Sequence, residues 1–174
     1  MLTKFSFLNL LILAGFSSNA QTQAQAQEYD LKAAYIYNIT KFIYWDTSTR
    51  GNEFTIGIIG SSPIYEPLLE VVKTKTVNNK KIIIRQYTKV EEINNCNMLF
   101  IPSTTTVSLE ELLNKAKSKK ILTVSEQEGY GKQGTAINIV KISENLKFEI
   151  NIKTLESLGL KARAQFLELA LIIN

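Results

Sequence analysis

Reactive side chains are scarce in this sequence. Its 174 residues include no histidine and one cysteine, Cys96. Without imidazole there is no histidine-based triad, most zinc sites cannot be built, and the easiest general base at neutral pH is missing. A single thiol forms neither an intrachain disulfide nor a thiolate cluster, so no metal and no cofactor are expected. One glycine motif stands out: Gly129-Tyr130-Gly131-Lys132-Gln133-Gly134 matches G-x-G-x-x-G. A dinucleotide site needs a helix after those glycines, so that the helix N-terminus meets the pyrophosphate. Here Thr135 to Val140 has the pattern of a strand instead, so the segment reads as a connecting loop. Glu110-Glu111 fits a solvated helix surface. No catalytic residue is assigned, and the chain is not expected to be an enzyme.

What remains is binding chemistry, in two places. Hydroxyls and glycines gather after three apolar runs: Gly60, Ser61 and Ser62; Ser103, Thr104 and Thr105; Ser125, Gly129 and Tyr130. In a parallel sheet such positions converge at the carboxyl ends of the strands, where amides and hydroxyls can meet the polar groups of a small ligand. The same residue types also build ordinary turns, and both readings stand. The second place is a helix expected over Leu31 to Trp45, LKAAYIYNITKFIYW, capped by Asp30. Leu31, Ala34, Phe42 and Trp45 cluster on one side, Ile36, Ile39 and Ile43 widen the stripe, and Ala33, Tyr37 and Tyr44 lie opposite. One face covers the sheet. The other, with Ala33, Tyr37, Lys41 and Tyr44, either meets a partner or lies under a second helix of the same chain; aromatic residues flanked by charge are typical of interface anchors.

These residues need a frame to position them, and the pattern predicts one. Phe54 to Gly60, FTIGIIG, leaves neither face polar, as in a parallel sheet covered on both sides. Gly60-Ser61-Ser62-Pro63 then turns into a helix over Ile64 to Lys73. Strands follow at Lys81 to Tyr87, Asn97 to Pro102 and Ile121 to Val124, with a helical turn at Val90 to Asn94 and a helix at Leu109 to Ser118, the latter opened by a capping box of Ser108 and Glu111. Ala136 to Ile142 and Leu146 to Ile152 alternate across a short turn and read as an antiparallel hairpin. Thr154 to Leu158 is a short helix ended by Gly159, and Arg163 to Ile172 a closing helix with Phe166, Leu167, Ala170 and Leu171 inward. The expected fold is a three-layer α/β/α domain with a mixed, mostly parallel sheet ending in an antiparallel hairpin.

Residues 1–20 have the marks of a secretory signal peptide: Lys4, an apolar run from Phe5 to Phe16, and small residues ending at Ala20. That run is too short to span a bilayer, which takes about 20 apolar residues. Cleavage near Ala20 would export the chain to the periplasm. Residues 21–29 read as a flexible Gln-rich tether, leaving 30–174 as one domain. Without Lys4 the chain has 19 basic and 16 acidic residues. A net of +3, with scattered basic residues, gives no reason to expect nucleic acid.

In order and spacing, these segments resemble the YfiR/HmsC-like periplasmic proteins. The matching residues are the helix end Lys41-Phe42-Ile43-Tyr44-Trp45, the FTIGIIG strand, Cys96 ahead of Met98 to Ile101, Ile121 to Glu126 with Gly129-Tyr130, Gly134 to Val140, Lys147 to Asn151, Gly159-Leu160-Lys161, and Leu167 to Ala170. The resemblance implies a non-enzymatic regulator that binds and represses the periplasmic sensor region of a membrane-bound diguanylate cyclase, in c-di-GMP signalling and biofilm regulation. A sensor kinase's periplasmic domain or a second copy of the chain is the other partner considered. The competing class is a periplasmic solute-binding domain. The chain departs from the family where histidine often follows the cysteine, here Asn97, and in lacking a second cysteine.

Overall fold

The computed structural model describes residues 13–45 and 51–173. The chain opens with α1 (Leu13–Phe42) and β1 (Ile43–Tyr44), followed by β2 (Glu53–Ile59) and α2 (Tyr65–Val72). Next come β3 (Thr76–Val77), β4 (Lys80–Tyr87), β5 (Met98–Ile101), α3 (Leu109–Lys119) and β6 (Leu122–Ser125). The hairpin β7 (Ile137–Ile142) and β8 (Asn145–Asn151) leads to α4 (Ile152–Ser157), β9 (Lys161–Ala162), α5 (Ala164–Glu168) and β10 (Ala170–Ile173). Eight strands form one sheet in the order β10-β8-β7-β6-β5-β2-β4-β3, antiparallel only at β7/β8 and β3/β4.

β2 is central because both its faces are apolar. Phe54, Ile56 and Ile58 point into one core with α1, α2 and α5, and Ile59 points into a second core with Leu99, Ile101 and Leu112 of α3. The helices therefore lie on opposite faces, giving the expected three layers. β2 pairs with β4 on one side and β5 on the other, so the chain reverses direction across the sheet between β2 and β5. Asn97 helps to align that junction: its Oδ1 accepts from Thr55 N at 2.9 Å and its backbone N donates to Thr55 O at 2.9 Å.

Several expectations are corrected. The helix predicted from Leu31 begins at Leu13, includes Gln21 to Gln27, and ends at Phe42, with Ile43-Tyr44 paired to β9 as a strand. Its inward stripe is Tyr29, Ala33, Ile36 and Ile39, all buried and continued by Ile43 of β1, while Leu31 is exposed. A stretch apolar nearly all round does not reveal which face the sheet takes. The closing helix from Arg163 to Ile172 breaks after α5, because the outer edge of β8 was open to a parallel strand; Phe166 is buried as expected, but Leu171 is exposed in β10. Ser108 stands at the N-cap of α3 without a side-chain capping bond, so the predicted capping box is not closed. The predicted leader falls largely outside the described residues at 1–12.

Candidate functional site

The carboxyl ends of β2, β5 and β6 bring part of the predicted pocket together. Gly60 leaves β2 with φ +78°, a conformation that suits glycine, and its N–H donates to Tyr87 O at 2.8 Å. Thr104 Oγ1 donates to Ser61 O at 2.9 Å, tying the loop after β5 to the loop after β2. Ser62 accepts from Ile64 N through its hydroxyl at 3.3 Å and so opens the turn into α2. Thr105 Oγ1 accepts from Val107 N in the same manner. The Ser62 and Thr105 hydroxyls are thus partnered within their own loops, and that of Thr104 across to the neighbouring one. Ser125 instead meets Asn138 Oδ1 at 2.6 Å and Thr135 Oγ1 at 2.9 Å. Tyr130 packs on the α3 side. The predicted residues thus separate into a group in the loops after β2 and β5 and a group beside β7 and α3.

The glycine motif belongs to that second group. Gly129 and Gly134 have positive φ, and a Cβ on Gly131 would stand 2.7 Å from Glu149 Oε2 and 2.6 Å from Ile173 Cδ1. Its glycines let the β6–β7 connection lie flat on β8 and β10, which explains the motif without a nucleotide.

The residues that sequence reasoning missed are charged. Lys32, in α1, is nearly buried; its Nζ lies 2.7 Å from Glu126 Oε2 and 2.8 Å from Glu28 Oε1. Glu126 follows directly on β6 with its side chain 2% exposed. Its other oxygen, Oε1, accepts from Ser103 N at 3.1 Å and from Ser103 Oγ at 3.4 Å. Burial alone would lower the Lys32 pKa, but hydrogen bonds and charge from Glu126 and Glu28 outweigh it and hold it above the ordinary lysine value. Lys32 is therefore a fixed cation and not a base. The hydrogen bond from Lys32 in turn draws Glu28 below the usual carboxylate value. Glu28 and Lys32, spaced i,i+4 at the start of the mostly apolar stretch that follows the Gln-rich part of α1, were the available signal.

At the other end of α1 the predicted contact strip loses a member. Ala33 is completely buried and belongs to the core, so the strip reduces to Tyr37, Lys41 and Tyr44. Tyr44 is 53% exposed, with the Arg163 guanidinium 4.6 Å from its ring centre, and Lys41 Nζ lies 4.3 Å from that of Tyr37. Arg163 is anchored by its Nε to Lys41 O at 2.9 Å and by its backbone N to Phe42 O at 2.8 Å. A cleft of about 230 Å³ opens beside Lys41, Asn78 and Arg163, and another of about 420 Å³ lies between Thr88 to Glu91 and Thr106 to Ser108. Neither is lined by the predicted pocket residues.

Cys96 is buried at the amino end of β5, its thiol donating to Met98 O at 2.9 Å. Tyr87 lies against it, and burial together with the neighbouring Cys96 pushes the phenol up to about 12. Gly57 makes room for both, since a Cβ there would stand 2.5 Å from the Tyr87 ring and 2.9 Å from Cys96 Sγ. Among the described residues no group of three or more acidic or cysteine side chains is placed to hold a metal.

A family model described as YfiR/HmsC-like matches residues 29–171. The chain belongs to the YfiR/HmsC-like family. That is a family of periplasmic, regulatory, non-catalytic proteins. No curated protein matches the sequence. Among solved structures, the fold of this YfiR/HmsC-like chain is similar to a conserved domain protein from Vibrio cholerae at TM-score 0.58 and 12% identity, covering 84% of this chain and 60% of that one. It is also similar to an ABC domain from Streptococcus pneumonia in complex with L-Trp, at TM-score 0.53 and 15% identity, covering 70% and 56%. A third is CD0873, a substrate binding protein with adhesive properties from Clostridium difficile, at TM-score 0.52 and 15% identity, covering 70% and 54%. The chain thus spans about 54% to 60% of the length of these structures. Likeness at this level of identity concerns the fold. Among the described residues no helix is long and apolar enough to cross a membrane.

Proposed function

We propose that the chain is exported, loses residues 1–20, and acts in the periplasm by binding and repressing the sensor region of a membrane-bound signalling protein, a diguanylate cyclase. Membership of the regulatory family supports the class of function. The observation that carries the interaction is the exposed Tyr44, stacked by Arg163 and flanked by Tyr37 and Lys41. An aromatic side chain half in solvent, held in place by a cation, offers area at little further cost in side-chain entropy. The test is a pull-down of the periplasmic region of a membrane-bound diguanylate cyclase from the same organism, using wild type and the Tyr37→Ser/Tyr44→Ser variant. Capture by wild type and its loss in a variant that still folds supports the reading; equal capture defeats it. Sedimentation of the same proteins shows whether a homodimer uses the strip.

A second reading, a small-ligand binding domain, has one observation in its favour: folds of this kind include proteins described as substrate binding or complexed with L-Trp. Saturable binding of an amino acid in a calorimetric titration, without any effect of the tyrosine substitutions on partner capture, would favour it.

A further inference from the structure

In an open α/β sheet the ligand crevice lies outside the carboxyl ends of the strands where the chain order reverses. In this chain that place, beside the ends of β2 and β5, holds a carboxylate already. Glu126 is bound as a free acid would be: an ammonium on one oxygen, a backbone N–H and a hydroxyl on the other, with the group withdrawn from solvent. Such charge-assisted bonds are the strong ones, and all three donors come from a helix and a loop other than the segment that carries Glu126. Lys32 also has a second carboxylate, Glu28, four residues earlier on its own helix at 2.8 Å. The ammonium therefore keeps its charge and its position when Glu126 is taken away, and Ser103 is left with donors aimed at the space.

We propose that Lys32 and Ser103 form a carboxylate-binding site which the chain fills with its own Glu126, and which accepts a small free monocarboxylate once that side chain is removed. The tethered carboxylate competes at an effective concentration in the millimolar range or above, so free acids do not enter the wild-type chain at ordinary concentrations. The latch also ties α1 to the loops after β5 and β6.

The experiment is chemical rescue of Glu126→Ala in the full mature chain, with formate and acetate compared against chloride at equal ionic strength. The melting temperature of the variant should fall, and formate should restore about 3 to 6 °C of it at roughly ten times its dissociation constant, rising with the logarithm of concentration above that. Wild type should respond equally to formate and chloride. Adding Lys32→Met to Glu126→Ala should abolish the rescue. If Glu126→Ala does not fold in chloride, refolding in formate becomes the readout, with recovery expected. No difference between formate and chloride, an equal effect on wild type, or rescue that survives Lys32→Met would each overturn the proposal.

Discussion

The stretch from Lys32 to Tyr44, which is the last part of α1 together with β1, is fastened at both ends by a cation, and the two fastenings differ in almost every physical respect. At the carboxyl end of the sheet, Lys32 is withdrawn from water between Glu126 and Glu28. At the amino end, Arg163 lies over the exposed ring of Tyr44 and bonds the backbone of Lys41. A buried pair is costly to assemble but more costly to break, because removing one partner strands the other charge in a poor solvent. An exposed cation over a ring contributes about 0.5 to 1 kcal/mol and can exchange its contacts for those of another protein. One end holds the fold, and the other is the surface proposed for recognition.

The largest effect should come from breaking the buried end. Lys32→Met leaves Glu126 without its cation, and the cost should be about 3 to 5 kcal/mol in urea unfolding. If Lys32→Met and Arg163→Ala cost the same, the contrast between the two ends fails.

Tyr87 gives the next effect, and it sharpens the meaning of burial on the α3 side. Its folded pKa, pushed to about 12, lies above the ordinary value of 10. The unfolded chain loses the phenolic proton first, so stability falls as pH rises from about 10 toward 12, by on the order of 2 to 3 kcal/mol for this group. Lys32 has the same sign, since its raised pKa contributes stability below the unfolded value and loses it as pH rises through the folded one. Tyr87→Phe should therefore flatten part of the alkaline limb of the stability profile and leave the part due to Lys32; an unchanged limb would contradict this assignment.

Arg163→Ala and Tyr44→Ser should each change stability by no more than about 0.5 to 1 kcal/mol while weakening partner capture. A large fall in melting temperature with capture retained would make Tyr44 structural and the two ends alike. Smallest is the acid limb. Glu28 has its pKa lowered chiefly by the hydrogen bond from Lys32, so its contribution is present above the unfolded value and disappears as pH falls through the folded one. Its side chain is 31% exposed, and solvent screening keeps the effect small. Glu28→Gln should shallow the loss of stability below pH 4.5, measured by thermal melts from pH 6 to 3.

The strands were legible where their burial was symmetric. FTIGIIG, MLFI and the β7–β8 hairpin are set by local pattern, and Ser143 and Glu144, at φ 46° and 64°, form the tight turn that a two-residue connection requires. β3 was missed because its two residues pair only through the turn at Asn78-Asn79, both at positive φ. The end of the chain was misread because Phe166, Leu167, Ala170 and Leu171 satisfy a helical repeat as well as a break into α5 and β10. Of the candidate site, the loops at Gly60 and Ser103 were placed at the right end of the sheet, and Tyr44 on an exposed surface. The charges that occupy the crevice were not found, since Lys32 and Glu126 are 94 residues apart and neither carries a motif.

The sequence by itself determined the alternation of strands and helices, the family, and the absence of histidine and of a second cysteine, because composition and periodicity are local properties of the chain. Tertiary structure decided which face of α1 enters the core, which edge of β8 receives the last strand, and which carboxylate meets Lys32. Those depend on the shape and free hydrogen-bonding groups of surfaces assembled from distant segments, and on the dielectric that burial creates around a charge.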